Sequence, residues 1–133
     1  MAFVHGKGSY CSLDSVDLST FVNNTEYTNS ADSHDTTTYG KNAHTFQGGL
    51  KNGTATISGI YEDGATGPRA TIQPLIGTVV AFVWRPEGTG TGLPEDTVNV
   101  LVTSYQETSP VADMITWTAE LQLTDDVTTI DQV

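Results

Sequence analysis

Asp32, His34, Asp35 and His44 bring two imidazoles and two carboxylates into one short stretch, and these are donor types that hold zinc and other divalent ions. Their spacing matches no zinc or calcium pattern, so the stretch reads as a solvated acidic loop. Asp14, Asp17 and Glu26 could supply paired carboxylates for acid–base work, but such pairs arise by chance in any chain this acidic. Gly88, Gly90 and Gly92 are spaced like a phosphate-cradling loop. They lead into Leu93-Pro94 and a strand pattern, where an anion site needs a helix N-terminus, and so read as a flexible turn. There is no Gly-x-Ser-x-Gly elbow, and Cys11 has no neighbour in sequence that would activate it. Asn23-Asn24-Thr25 and Asn52-Gly53-Thr54 satisfy the glycosylation rule, but no secretory signal accompanies them. The sequence predicts no catalytic residue, no cofactor and no metal, and hence not an enzyme.

Chemistry-bearing residues need a scaffold, and composition bounds it. With 133 residues the chain has material for one core, and 1–133 reads as a single domain. Five Lys and Arg against 16 Asp and Glu give a formal charge of -11, which argues against nucleic acid as a tightly bound partner. A lone cysteine allows no intrachain disulfide. The N-terminal residues 1–12 lack the apolar core of a secretion signal, and the longest apolar stretch, 75–84, is far too short to span a bilayer as a helix. The expectation is a soluble protein made in a cytoplasm, with no membrane partner.

Period-two patterns dominate the chain. Ile115, Trp117, Ala119, Leu121 and Leu123 alternate with Thr116, Thr118, Glu120 and Gln122, which predicts a half-buried strand. Residues 97–106 place Val98, Val100 and Val102 on one face and Leu101 and Tyr105 on the other, and Ser109-Pro110 suggests a hairpin joining the two segments. Residues 78–85 read as a strand ended by Pro86. Residues 53–61 alternate Ala55, Ile57 and Gly59 against Thr54, Thr56, Ser58 and Ile60, after a turn at Lys51-Asn52-Gly53. One short helix is expected from Pro68 toward Gly77, limited by Pro74. Short strands are read at 16–18 and 26–30. The polar segment 33–49 is expected to be an exposed loop or arm, of the kind that becomes ordered on a neighbour.

Several segments taken in order resemble the major tail (tail tube) proteins of long-tailed bacteriophages: 17–23 (Asp-Leu-Ser-Thr-Phe-Val-Asn), 31–40 (Ala-Asp-Ser-His-Asp-Thr-Thr-Thr-Tyr-Gly), 49–54 (Gly-Leu-Lys-Asn-Gly-Thr) and 58–61 (Ser-Gly-Ile-Tyr). Val83-Trp84-Arg85-Pro86-Glu87-Gly88 is similar to that family's strand ending in Pro-x-Gly, and Pro74 inside the expected helix departs from it. The resemblance implies a mainly β fold, a β-sandwich or barrel of antiparallel strands with one short flanking helix. It also implies a structural virion protein that polymerises as stacked, hexameric rings into a hollow tube conducting viral DNA. The implied partners are further copies of the chain and other tail proteins such as tape measure and terminator. DNA would pass without specific binding, and the location would be the virion tail, assembled in the host cytoplasm. Inter-subunit contacts would come from Asp35, Thr37, Tyr39, Lys41, His44, Phe46 and Leu50, and lumen lining from Thr54, Thr56, Ser58, Thr116, Thr118 and Glu120. The physical reading agrees, because ring closure protects exposed strand edges and a negative wall repels phosphates. The alternatives are a capsid decoration protein or head–tail connector component. A carbohydrate-binding domain or small acidic hydrolase is suggested only by Trp84, Trp117 and five Tyr.

Overall fold

The structure, a computed structural model, describes residues 3–133; Met1 and Ala2, part of the expected domain 1–133, lie outside the described residues. The strands are β1 (Tyr10–Leu13), β2 (Val16–Asp17), β3 (Val22–Asp35), β4 (Phe46–Ile60), β5 (Val79–Arg85), β6 (Pro94–Thr108), β7 (Thr116–Leu123) and β8 (Thr128–Asp131). Helix α1 (Pro68–Ile72) continues into a 3-10 turn, Gln73–Leu75. All strands join one antiparallel sheet in the order β2-β1-β5-β6-β7-β4-β3, with β8 pairing the start of β6. A mainly β fold with one short helix is therefore what forms.

Alternation decides which face is buried. Gly53, Ala55, Ile57 and Gly59 of β4 and Trp117, Ala119, Leu121 and Leu123 of β7 point into the core, where Val98, Val100 and Val102 of β6 meet them. Ile115, the first apolar residue of the expected alternation, lies just outside β7 and is exposed. The sheet rolls on itself, so that its two ends approach. Tyr27 of β3 packs its ring 6.4 Å from that of Phe82 on β5, and the buried Cys11 of β1 donates its amide to Ser19 Oγ at 3.0 Å. Helix α1 starts with Pro68 at its first position, where a missing amide costs no hydrogen bond, and buries Pro68 and Ile72.

Four expectations are corrected. Lys51-Asn52-Gly53 is not a turn but the middle of β4, where Gly53 lets the Thr28 carbonyl and Leu123 approach; a Cβ there would lie 2.9 Å from Leu123 Cδ2. Tyr105 does not face away from the core valines. A bulge between Val102 and Ser104 shifts the alternation by one, and Tyr105 stacks on Trp117 with ring centroids 6.1 Å apart. The short strand expected at 26–30 is a fragment of the fourteen-residue β3. The glycine-rich loop 86–93 is pinned by Gln132, whose Nε2 donates to the Gly88 carbonyl at 2.8 Å while its Oε1 accepts from the Gly90 amide at 3.1 Å.

Gly59 marks the tightest approach in the roll, since a Cβ there would overlap the carbonyl oxygen of Phe21, whereas Gly48 has open space. Gly59→Ala is expected to lower the urea midpoint by an amount equivalent to about 2 kcal/mol or more, and Gly48→Ala to leave it within about 0.5 kcal/mol. Equal midpoints for the two variants would contradict the packing described.

Candidate functional site

Two features of the fold have no role in its core: the outer face of the sheet, and the hairpin in which β3 and β4 continue past everything else. The outer face is built by register. Glu26 of β3 stands beside Thr56 of β4, which stands beside Glu120 of β7, which stands beside Ser104 of β6. The next row reads Asn24, Ser58, Thr118, Gln106, and the row on the other side begins Thr28, Thr54, Gln122. All six expected lumen residues lie on this face, with Thr116 opposite Ile60 at its end. The sequence reading missed its flanks, Asn24, Glu26 and Thr28 on one side and Ser104 and Gln106 on the other. The alternation of 24, 26 and 28 was visible; that of 104 and 106 was hidden by the bulge. These rows carry two carboxylates, Glu26 and Glu120, and no Lys or Arg.

The hairpin arm forms because β3 and β4 remain paired through Asp35↔Phe46, while β7 reaches only as far as Thr54. Beyond that point the strands have no core to bury. Backbone pairing and a hydroxyl network hold the tip: Thr36 donates its amide to the Thr45 carbonyl at 2.8 Å, the Thr45 amide donates to Thr37 Oγ1 at 2.8 Å, and the Thr37 amide donates to Asp35 Oδ1 at 2.9 Å. His44 lies 3.7 Å from the Asp35 carboxylate and against Phe46, with ring centroids 6.2 Å apart. At the base, Asn52 Oδ1 accepts from Gln122 Nε2 at 2.7 Å and ties the arm to β7.

All seven expected contact residues lie on this arm, in two roles. Asp35, Thr37 and His44 build the tip; Tyr39, Lys41, Phe46 and Leu50 face solvent. The segment 33–49, expected to be an exposed loop or arm, is the end of a hairpin arm: 33–35 and 46–49 are strand, and residues 36–45 turn between them. Asp32 and His34 flank Gly49, apart from the Asp35–His44 pair. Among the described residues no group of three or more His, Cys, Asp or Glu is placed to hold a metal ion. Asp14 lies in the β1–β2 turn with φ of 51°, and Asp17 accepts the Ser19 amide at 2.8 Å, whereas Glu26 belongs to the outer face, so the three do not form one acid–base site. No helix of the described residues is long and apolar enough to cross a membrane.

Comparison with solved structures shows the fold. The chain aligns with a chain from the virion of a native gene transfer agent particle at a TM-score of 0.81 and 13% identity, covering 96% of this chain and 99% of the other. It aligns with the SPP1 tail tube at 0.79 and 10% identity, over 98% and 81% of the two chains. For a chain of the empty gene transfer agent particle's tail, refined with C6 symmetry, the values are 0.68 and 14%, over 81% of each chain. No protein-family profile and no curated protein matches the sequence. The fold is that of phage-type tail tube proteins, as the sequence resemblance implied.

Two outcomes follow from the electrostatics. The Thr37 hydroxyl and amide hold the Asp35 carboxyl below its ordinary value. A depressed folded pKa means that the tip is stabilised above the ordinary carboxylate range and loosens as pH falls through the lowered value. Exchange of the Thr37 amide, corrected for its intrinsic rate, should be slow near about pH 6 and faster near about pH 3; equal protection at both would remove this role from Asp35. Burial pushes the Cys11 thiol up to about 12, so alkylation at mildly alkaline pH should require unfolding. Stoichiometric labelling of the native chain would show the site open.

Proposed function

We propose that this chain is a structural subunit of a tail tube: copies close side by side into rings, rings stack, and the polar four-strand face lines a channel through which DNA passes. The observation that carries the reading is that face: two complete rows across β3, β4, β7 and β6 are polar, a third is polar until it reaches Leu101 of β6, and none of them carries Lys or Arg. A sheet that only needed solvation would tolerate cations on it; a conduit for phosphates would not. Glu26 and Glu120 repel the DNA backbone, and the Thr and Ser hydroxyls keep the wall wet without offering a basic contact. The likeness to tail and tube chains supports the reading, and the sixfold symmetry of the gene transfer agent tail supports six copies per ring.

Ring closure also gives the outer edge of β3 a partner. That edge exposes backbone donors and acceptors that a second strand can use, and cyclic closure satisfies them without an open filament of edges. The arm supplies contacts outside the subunit's own core. Tape measure and terminator proteins are the partners at the tube's interior and end, the site is the virion tail after assembly in the host cytoplasm, and the chain performs no catalysis.

Concentrated protein viewed by negative-stain microscopy should show rings or tubes with a central hole. Replacing 33–47 with an Asn-Gly turn should leave the β core folded, with an unchanged thermal midpoint to within a few degrees, and abolish tubes. Normal tubes from that variant would remove the arm from assembly, and a parent chain that stays monomeric beside its tail partners would overturn the reading.

A further inference from the structure

Charge is distributed unevenly along β4. From Thr36 to Tyr61 there is no Asp or Glu in a chain that has 16, while Lys41 and Lys51 are both present. The ion pairs among the described residues are Arg69–Glu107, Arg85–Glu95 and His44–Asp35, and neither lysine takes part. Lys51 lines a cleft with Asp125 and Asp126 at the arm's base, and the tip's own carboxylate, Asp35, accepts the Thr37 amide and faces His44, which leaves Lys41 as the tip lysine with no carboxylate partner among the described residues. On the same arm Tyr39 and Phe46 are 107% and 63% exposed, Phe46 having the His44 ring on one side.

The opposite end of β4 has the complementary character. Tyr61 donates its amide to the Ile115 carbonyl at 2.9 Å, which holds the β6–β7 hairpin loop beside the segment that follows β4. Glu62 and Asp63 stand there in a cleft of about 370 Å³ against α1, with Asp113 in the neighbouring loop. Arg69 in the same cleft is already committed to Glu107 at 2.6 Å. Val111 and Met114, 107% and 64% exposed, stand on the same loop. One pole thus presents a cation and two exposed aromatic rings, and the other presents carboxylates outside the ion pairs of the described residues, with a flexible thioether and a valine on the neighbouring loop.

We infer that the arm tip of one copy docks on the Glu62–Asp63 pole of the next, Lys41 meeting the carboxylates and Tyr39 and Phe46 covering Met114 and Val111. The two surfaces lie at opposite ends of one strand, so the contact is head-to-tail, and between copies related by translation along that strand it propagates without closing on itself. That is the geometry of stacking. The inference rests on the reading of the chain as a self-assembling tube subunit and adds to it the receptor surface and the polarity of stacking. Opposite charges set which ends meet, and Met–aromatic and apolar contact adds affinity.

The test is a charge exchange in the full chain, read by sedimentation and microscopy in low salt. Lys41→Glu alone, and Glu62→Lys with Asp63→Lys, should each raise the concentration needed for assembly about tenfold or more, because like charges then face each other. Combining all three substitutions in one chain should restore assembly to near the parent value. Unchanged assembly in Lys41→Glu would assign the tip to some other partner and overturn the inference, as would failure of the combined variant to recover while each variant remains folded by circular dichroism. Recovery in assemblies that lack a central hole would uphold the contact and overturn the tube. Tubes that ignore all the substitutions would do the reverse, and a parent that never self-associates would overturn both.

Discussion

The register of β4 against its two neighbours is the constraint on which the rest of the molecule depends. Side chains of a strand alternate, so a slip of one residue against β7 would carry Ala55 and Ile57 to the outside and bring Thr54 and Thr56 into the core. Among the described residues the buried set is small, fourteen apolar residues, and three of them are alanine or cysteine. It tolerates no such exchange. The same register that buries Ile57 against Ala119 places Thr56 between Glu26 and Glu120. Core and outer face are thus one decision, made by the alternation of β4 and enforced by close approaches at Gly53 and Gly59, where larger residues would push the strands apart.

Where that constraint ends, a different kind of structure begins. β4 is paired on both sides from Thr54 to Gly59 and only to β3 from Phe46 to Gly53. An isolated two-stranded hairpin is marginal in water. Here the arm is continuous with a sheet that already sets its twist and register, and its tip is closed by hydrogen bonds among Asp35, Thr36, Thr37 and Thr45. It is therefore shaped before it meets a partner, which lowers the ordering cost of docking. Its exposed Tyr39, Phe46 and Leu50 are the residues such a docking would cover.

What the sequence revealed follows from the same division. The second half of β4, with β6 and β7, was legible because burial on one face forces a period of two, β5 was legible as a β-branched and aromatic run ended by Pro86, and the β6–β7 hairpin followed from a Ser-Pro break. The arm's strands were not legible as strands. Nothing in Asp32, Ser33, His34 and Asp35 alternates, because neither face is buried and only the backbone is engaged. Lys51-Asn52-Gly53 has turn chemistry, and Asn52 uses its side chain for a long-range bond to Gln122 that no local rule contains. Tyr105 was misplaced for a similar reason, since the bulge that turns it inward is set by pairing with β7. Of the candidate site, the centre of the outer face was readable from β4 and β7, and its flanks on β3 and β6 required the register between strands.

The distribution of acidity refines the meaning of a charge of -11. If repelling DNA were its main use, most carboxylates would lie on the outer face, yet the rows across β3, β4, β7 and β6 hold only Glu26 and Glu120. Glu95 and Glu107 are neutralised by Arg85 and Arg69. Much of the remainder lies in turns and at strand ends, as with Asp14, Glu62, Asp63, Glu87, Asp113, Asp125 and Asp126. Acids so placed keep free subunits apart at long range, where repulsion between bodies of high net charge acts, and salt weakens that repulsion. In the proposed stack, neutralising a few of them at close range, by a lysine in the acid-free stretch 36–61, would discriminate one relative orientation of two copies from all others. In the proposed tube, the negative charge governs how copies meet at least as much as what passes through them.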